Sequence, residues 1–133
     1  MIYVLDASAM IAYLRDEPGG DVIERALLDT SSQCLAHAIN LCEVFYDFHR
    51  AGGESAATSA ISDLVAAGVI ERTDFDHAFW QEAGRLKARG KVSIADCCCL
   101  ALTMRVGATL LTSDHHELDA IAALGLCPIT FIR

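Results

Sequence analysis

Short apolar runs alternate along this chain with segments in which apolar residues recur at helical spacing. The first run, residues 2–5, is apolar and β-prone, as is typical of a strand buried on both faces. It stops at Asp6, after which Met10, Ile11 and Leu14 recur at helical spacing. The pattern predicts a strand, a carboxylate and a helix, with Asp6 at the carboxyl end of the strand.

The same alternation continues to the end of the chain. Further strands are predicted at residues 33–37, 69–70, 108–111 and 128–132, and further helices at 22–27, 39–51, 61–67, 94–106 and 115–124. One more helix is predicted to carry Phe79, Trp80, Ala83 and Leu86 and to run up to Gly90. The helix at 94–106 is apolar nearly all the way round and should be interior. Thr73 and Asp76 fit a capping box for the helix that follows them. Alternation of this kind predicts a parallel or mostly parallel sheet with helices on both faces.

Length and composition favour one domain, residues 1–133, because a chain of 133 residues can bury a core of its own. The hydrophobic fraction of 53% argues against disorder. Nothing basic precedes Ile2, so no signal peptide is predicted, and no uncharged apolar segment reaches the roughly 18 residues that span a bilayer. We expect a cytoplasmic protein that does not associate with membranes.

Six cysteines occur without a secretory context, so disulfides are not expected. Three of them are consecutive, at residues 97–99, and helical neighbours point about 100° apart, so these three cannot converge on one metal. We expect all six to be reduced, mostly buried and hydrophobic in character.

The net charge of −8 is unpromising for a nucleic-acid-binding protein. Four cations nevertheless lie within seven positions, at Arg85, Lys87, Arg89 and Lys91. They fit either the solvated end of a helix, where the dipole favours cations, or a track that contacts phosphates. The sequence leaves both interpretations open.

Two acids, Asp6 and Asp114, directly follow apolar runs. Ligands of open α/β sheets bind outside the carboxyl ends of the strands, so both residues are candidates for a shared site. Each also has a structural interpretation, because Asp commonly caps the helix that follows it. Glu117 would complete a capping box with Asp114.

Asp96 lies in the first turn of the predicted interior helix, beside apolar residues and cysteines. A buried, unpaired carboxylate is costly, so it must be capped, paired or bound to a metal. Ser93 and Asp96 fit a capping box, which is compatible with a ligand role. Glu43 lies beside the apolar stripe of its helix and, taken alone, is typical of a surface residue.

Carboxylates that gather from two strand ends and two helices would repel one another and raise their own pKa values. Mg²⁺ or Mn²⁺, which prefer oxygen ligands, would relieve that repulsion. Such a site can lower the pKa of a bound water and stabilise the charge that builds on a phosphoryl group. The acids therefore suggest a metal-dependent hydrolase.

Four short motifs carry a resemblance to a known family. They are Asp-Ala-Ser at residues 6–8, Asn-x-x-Glu at 40–43, Ser-x-Ala-Asp at 93–96 and Thr-Ser-Asp at 112–114. In this order they resemble the PIN-domain family, and the length of the chain is similar to that of VapC-type toxins from toxin–antitoxin pairs. The resemblance covers essentially the whole chain.

The resemblance implies a three-layer α/β/α sandwich with a mostly parallel five-stranded sheet. It also implies an endoribonuclease that uses Mg²⁺ or Mn²⁺ to cut single-stranded RNA, leaving 5′-phosphate and 3′-hydroxyl ends. Its expected partners are RNA, a cognate antitoxin protein and a second copy of itself in a homodimer.

Position by position, Asp6 and Asp96 resemble the main metal ligands of the family, and Glu43 and Asp114 resemble its further acids. Polar residues around them resemble those that hold these carboxylates in place, namely Ser8, Asn40, Ser93, Thr112 and Ser113. Glu117 matches either a fifth acid or the capping partner of Asp114, and we favour the cap.

His115 and His116 are adjacent, and neighbours at the start of a helix point apart, so joint ligation of zinc is not expected. Contact with phosphate at the rim of the site is the preferred interpretation, as it is one of the two for the cations at 85–91.

Two other classes of function are considered, namely a phosphatase or phosphoryl acceptor that uses an Asp, and a non-enzymatic binding domain. A haloacid-dehalogenase-like phosphatase would use Asp6 as nucleophile but would need a second Asp where this chain has Ser8. A receiver domain would need an acceptor Asp after its central strand, and residues 69–71 supply none. A catalytically inactive PIN domain that binds a partner is the non-enzymatic alternative.

Overall fold

A computed structural model describes residues Met1–Arg133 and contains one five-stranded sheet. Its strands are β1 (Ile2–Leu5), β2 (Gln33–His37), β3 (Val69–Arg72), β4 (Thr109–Thr112) and β5 (Ile129–Phe131). All neighbours pair in parallel, in the order β3-β2-β1-β4-β5. The predicted parallel sheet is confirmed, and its central strand is the one that ends at Asp6.

Six helices cover the two faces of the sheet. They are α1 (Ala7–Leu14), α2 (Gly20–Leu28), α3 (Ala38–Ala67), α4 (His77–Ala88), α5 (Ile94–Val106) and α6 (His115–Ala123). No helix combines the length and the hydropathy that a membrane-spanning segment requires.

Alternating strand residues separate the core into two apolar clusters. Val4 and Leu110 pack with α4, α5 and α6, whereas Leu5 and Leu111 pack with α1, α2 and α3. Successive side chains of a strand point to opposite faces, which is why neighbours in β1 and β4 belong to different clusters. The predicted α/β/α sandwich is therefore confirmed.

The long helix α3 consists of two helical segments that meet at Gly53. Gly53 has φ 85° and ψ −172°, a conformation that glycine adopts far more readily than other residues. The break predicted from Gly52 and Gly53 is thus present, although backbone hydrogen bonding continues around it.

The capping box predicted for α4 is wrong. The helix begins at His77, and its N-cap is Asp76 rather than Thr73. The Asp76 carboxylate makes no capping bond and instead accepts a hydrogen bond of 2.9 Å from Nη2 of Arg105 on α5. A charged partner that only the tertiary fold supplies has displaced the local cap.

Most cysteines are buried, as predicted, and all six are free thiols. The one exposed cysteine is Cys42, on the first segment of α3. Cys42 is therefore an exception to the expectation that the cysteines are mostly buried hydrophobic residues.

The approach of α2 to α1 requires glycine at position 20, since a Cβ there would lie 2.6 Å from the carbonyl oxygen of Ala12. We expect Gly20→Ala to lower the free energy of unfolding by about 1–3 kcal/mol, because backbone must move to admit the methyl group. The control is Gly84→Ala, in α4, where a Cβ meets nothing within 4 Å. Helix propensity should make that variant more stable by up to about 1 kcal/mol. Urea denaturation distinguishes them, and equal effects would contradict the packing argument.

Candidate active site

A pocket of about 410 Å³ opens where β1 and β4 end, between the first turns of α1, α5 and α6 and one face of α3. Five acids line it, namely Asp6, Glu43, Asp96, Asp114 and Glu117. We call it the acid pocket. All four carboxylates predicted to form a site are brought together here, and no Lys or Arg lines the wall.

Asp6 combines the capping role with a place in the pocket. Its side chain is 2% exposed, and Oδ1 accepts hydrogen bonds from the Ala9 N–H at 2.9 Å and the Ser8 hydroxyl at 2.7 Å. Oδ2 accepts from the hydroxyl of Thr112. Burial raises the pKa of Asp6, although these three bonds oppose the shift. A carboxylate oxygen has two acceptor sites, so Oδ2 keeps one for a ligand.

Ser8 links the end of β1 to the loop after β4. Its Oγ donates to Asp6 and accepts from the N–H of Ser113 at 3.0 Å. Ser8 and Thr112 thus hold the Asp6 carboxylate directly, whereas Ser113 takes part through its backbone. Asn40 forms no hydrogen bond with a carboxylate: its Nδ2 donates to the carbonyl of Ala95 at 3.4 Å, which joins α3 to the first turn of α5.

Asp96 lies at the start of α5, but its carboxylate is not used in the cap. Ser93 caps the helix, accepting from the Asp96 N–H at 3.1 Å. A full capping box would also have Asp96 accept from the Ser93 N–H, yet Glu117 Oε2 takes that hydrogen at 3.0 Å. The Asp96 carboxylate is left to face the pocket.

Burial is the main reason that the pKa of Asp96 rises to about 8, with the neighbouring carboxylates of Glu117 and Asp6 adding to it. The pKa of Glu117 is lowered, because its carboxylate accepts hydrogen bonds from Asp96 and from Ser93. The opposite directions of the two shifts favour a protonated Asp96 beside an ionised Glu117.

Asp114 is the N-cap of α6, and its Oδ1 accepts from the Glu117 N–H at 3.2 Å. The interpretation of Glu117 as the reciprocal capping partner is wrong, because the Asp114 N–H donates to Thr112 Oγ1 at 3.0 Å instead. The Glu117 carboxylate turns inward. Carboxylate oxygens of Asp96, Asp114 and Glu117 lie within 4.8 Å of one another.

Glu43 forms the α3 side of the pocket and is half-buried. Burial raises its pKa, and the charges of Asp6, Glu117 and Asp114 raise it further. The effect of these three charges on its pKa shows that Glu43 lies near the other acids and is not an isolated surface residue.

The donor set fits a hard divalent cation. The acidic ligands are all oxygen, three of them lie close enough to share one ion, and no basic side chain in the wall offsets their charge. Asp6, Glu43, Asp96, Asp114 and Glu117 are the residues that could hold Mg²⁺ or Mn²⁺.

The predicted phosphate contacts lie outside the acid pocket. Arg85 pairs with Glu82 at 3.4 Å, and Lys87 Nζ donates to the carbonyl of Val92 at 2.7 Å. Arg89 and Lys91 are exposed beyond the end of α4.

Neither histidine of the adjacent pair lines the pocket. The His115 ring stacks on Phe131 with centroids 4.1 Å apart, and its nitrogens contact Asp119 Oδ1 at 2.9 Å and the Arg133 carbonyl at 2.7 Å. Those contacts raise the pKa of His115 and occupy both nitrogens. His116 is exposed.

Several uncharged residues of the wall were not predicted, among them Ile39, Cys42, Tyr46 and Ile94. Ile39 lies four residues before Glu43 and Tyr46 three after it. The helical spacing of side chains on one face would have identified both.

Comparisons with known proteins agree with this architecture. The family model of the PIN domain matches residues 3–124. No curated protein sequence matches the chain.

Several solved structures share the fold. A chain of VapBC2 from Rickettsia felis, bound to a promoter DNA fragment, superposes with a TM-score of 0.76 at 17% identity, covering 98% of each chain. DNA-bound VapBC from Salmonella typhimurium gives 0.74 at 16% identity, covering 100% of this chain and 99% of the other. VapC20 from Mycobacterium tuberculosis, a sarcin–ricin-loop-cleaving toxin, gives 0.68 at 17%, covering 90% and 95%. At such low sequence identities, these superpositions show a shared fold and nothing more.

The raised pKa of Asp96 predicts how metal-free stability depends on pH. The folded protein binds this proton more tightly than the unfolded chain does, so its stabilising contribution is lost as the pH rises from the ordinary pKa of 3.8 to about 8. Asp96→Asn removes the titration. In EDTA we expect the variant to melt above the parent at pH 8 and the difference to shrink toward pH 4. Thermal melts across this range test it, and a pH-independent difference would contradict the assignment.

Proposed function

This chain belongs to the PIN-domain family, and we propose that it is a Mg²⁺- or Mn²⁺-dependent endoribonuclease that hydrolyses phosphodiester bonds of single-stranded RNA. The observation that carries the proposal is the convergence of Asp6, Glu43, Asp96 and Asp114 in one pocket whose wall has no Lys or Arg side chain to balance their charge. The pKa values of Asp6, Glu43 and Asp96 are all raised by burial, which suits a site that is completed by a divalent ion.

Asp96, Asp114 and Glu117, whose carboxylate oxygens lie within 4.8 Å of one another, would share one metal ion, with Asp6 and Glu43 completing the site or positioning the attacking water. When bound, the metal would activate water and offset the negative charge that accumulates on the phosphoryl oxygens. Ser8 and Thr112 orient Asp6 through their hydroxyl groups. Glu117 anchors the first turn of α5 through the Ser93 N–H, which keeps the Asp96 carboxylate directed at the pocket.

The reaction adds water across the bond between phosphorus and the 3′ oxygen. The water oxygen bonds to phosphorus, the bond to O3′ breaks, and the departing O3′ takes up a proton. The products are a 5′-phosphate and a 3′-hydroxyl. The carboxylates of the pocket are the groups placed to accept the proton that the water loses.

We also propose that the protein is the toxin of a type II toxin–antitoxin pair, acts in the cytoplasm and forms a homodimer. The structures that share its fold include VapBC complexes and a toxin that cleaves the sarcin–ricin loop. A chain with a net charge of −8 and an acid-lined pocket suits an antitoxin segment rich in Arg.

Cleavage of single-stranded RNA by the purified protein tests the proposal. We expect Asp96→Asn to lower the rate roughly a hundredfold or more, because metal-ion catalysis contributes several kcal/mol and each 1.36 kcal/mol is tenfold. Thr112→Val, which removes a bond to Asp6, should cost about 10- to 100-fold. The control Asp63→Asn changes an exposed acid of α3 outside the acid pocket and should cut at the parent rate.

A parallel assay with a small aryl phosphate separates nuclease from phosphatase activity. Turnover of the aryl ester without cleavage of RNA would favour a phosphohydrolase of another class. Parental RNA cleavage by Asp96→Asn would show that the site is assigned wrongly.

Metal binding should release a proton. Because the pKa of Asp96 is raised to about 8, this carboxyl is protonated at pH 7 and must ionise to bind a cation. We expect Mn²⁺ binding to tighten up to about tenfold per pH unit between pH 6 and 8. Titration calorimetry in two buffers of different ionisation enthalpy counts the protons. Heats that do not depend on the buffer would contradict the expectation.

A further inference from the structure

An apolar groove of about 380 Å³ adjoins the acid pocket, and no predicted site residue lies in it. The two cavities share Ile39, Cys42 and Ile94 as a common wall. Beyond that wall the groove is bounded by His37, Thr73 and Phe75. We call it the apolar groove.

Phe75 is the exposed aromatic surface of the groove, with 58% of its area accessible. Its ring lies 6.2 Å from that of Phe79, which is buried and stacks on His37 at 5.2 Å. An exposed ring supported by a buried aromatic pair is already positioned before a ligand arrives. Large exposed apolar side chains at a cavity commonly mark a binding surface.

The groove is lined mostly by hydrophobic residues and offers few hydrogen-bonding groups. His37 lines it, but Nδ1 accepts from the Ile39 N–H at 3.1 Å and Nε2 contacts the Asp74 carbonyl at 2.7 Å. Both ring nitrogens are therefore occupied. A ligand held here is recognised through its face, which is how single-stranded nucleic acid is bound without strong sequence preference.

A second exposed aromatic lies at the other end of the acid pocket. Along α3, Ile39 in the shared wall is followed by Glu43 among the acids and then by Tyr46. At a helical rise of about 1.5 Å per residue, Tyr46 lies about 10 Å along the axis from Ile39. The guanidinium of Arg50 lies 4.8 Å from the centre of the Tyr46 ring. Arg50 forms no salt bridge, so its charge is available to a phosphate.

We infer that the apolar groove is a nucleobase subsite for single-stranded RNA, in which the base next to the scissile phosphate stacks on Phe75. The inference rests on the proposed function. A strand whose phosphate lies at the acids has its neighbouring base at the shared wall, and the base on the far side reaches Tyr46, with Arg50 near its phosphate. Aromatic faces on both sides of the acids suit a strand that crosses the pocket.

Binding of a short fluorescein-labelled RNA tests the subsite. Fluorescence anisotropy is measured with Ca²⁺ in place of Mg²⁺, under conditions where a gel shows no cleavage. Stacking contributes enough that Phe75→Ala should weaken binding about fivefold or more, and Phe75→Trp should restore it. The control is Trp80→Ala, on α4, which removes another exposed aromatic outside both cavities and should bind as the parent does.

A scan with abasic nucleotides locates the base. Removing the base at one position of the RNA should weaken its binding to the parent protein. With that abasic RNA, Phe75→Ala should weaken binding no further, because the base and the ring are the two halves of one contact. Thermal melts check that the variants are folded. Steady-state cleavage should show the change in KM rather than in kcat.

Three results would overturn the proposed subsite or the proposed function. If Phe75→Ala binds RNA as the parent does, or if its loss is independent of every abasic position, the subsite is overturned. If RNA affinity is unchanged while a synthetic Arg- and Leu-rich peptide binds more weakly, the groove docks protein and the inference fails. RNA that binds with the expected coupling but is never cut with Mg²⁺ or Mn²⁺ overturns the proposed function and leaves the subsite supported.

Discussion

The constraint on which the site depends is the cost of burying the Asp6 carboxylate at the end of the central strand. A charge with 2% exposure needs hydrogen-bond donors, and it obtains them from its own helix, from Ser8 and from Thr112 on the adjacent strand. Those bonds join β1, α1 and β4 at one point. Because β1 pairs with β4 in parallel, the donor and the acceptor arrive at the same edge of the sheet.

Capping and chemistry turn out to be compatible at this edge. Asp6 and Asp114 both cap helices, yet each still lines the acid pocket. Asp96 is different, because Glu117 occupies the Ser93 N–H that Asp96 would otherwise bond. One acid thus serves as a support so that another faces the pocket, and the mutual repulsion that results is what a divalent cation would relieve.

The surroundings of the acids add a second kind of surface. Apolar side chains of α3 and α5 separate the carboxylates from a groove that contains Phe75, and Tyr46 lies beyond them. Carboxylates that could bind a divalent cation lie at the centre, and aromatic rings lie to either side. This arrangement suits a flexible strand in which phosphates and bases alternate. The four basic residues at 85–91, for which a phosphate track was one of two interpretations, lie outside both cavities.

The sequence by itself determined the parallel sheet, the alternation of helices and the four acids, because each depends on local periodicity or on residues that directly follow a strand. It did not determine the role of Glu117 or the start of α4. There, partners distant in sequence, the Ser93 N–H and Arg105, outcompeted the local capping bonds. Nor did it indicate that Phe75 and Ile94 would form a groove beside the acids, since they belong to segments that meet only when α5 packs against the sheet. Local pattern decides which elements form; only tertiary contact decides which side chains meet.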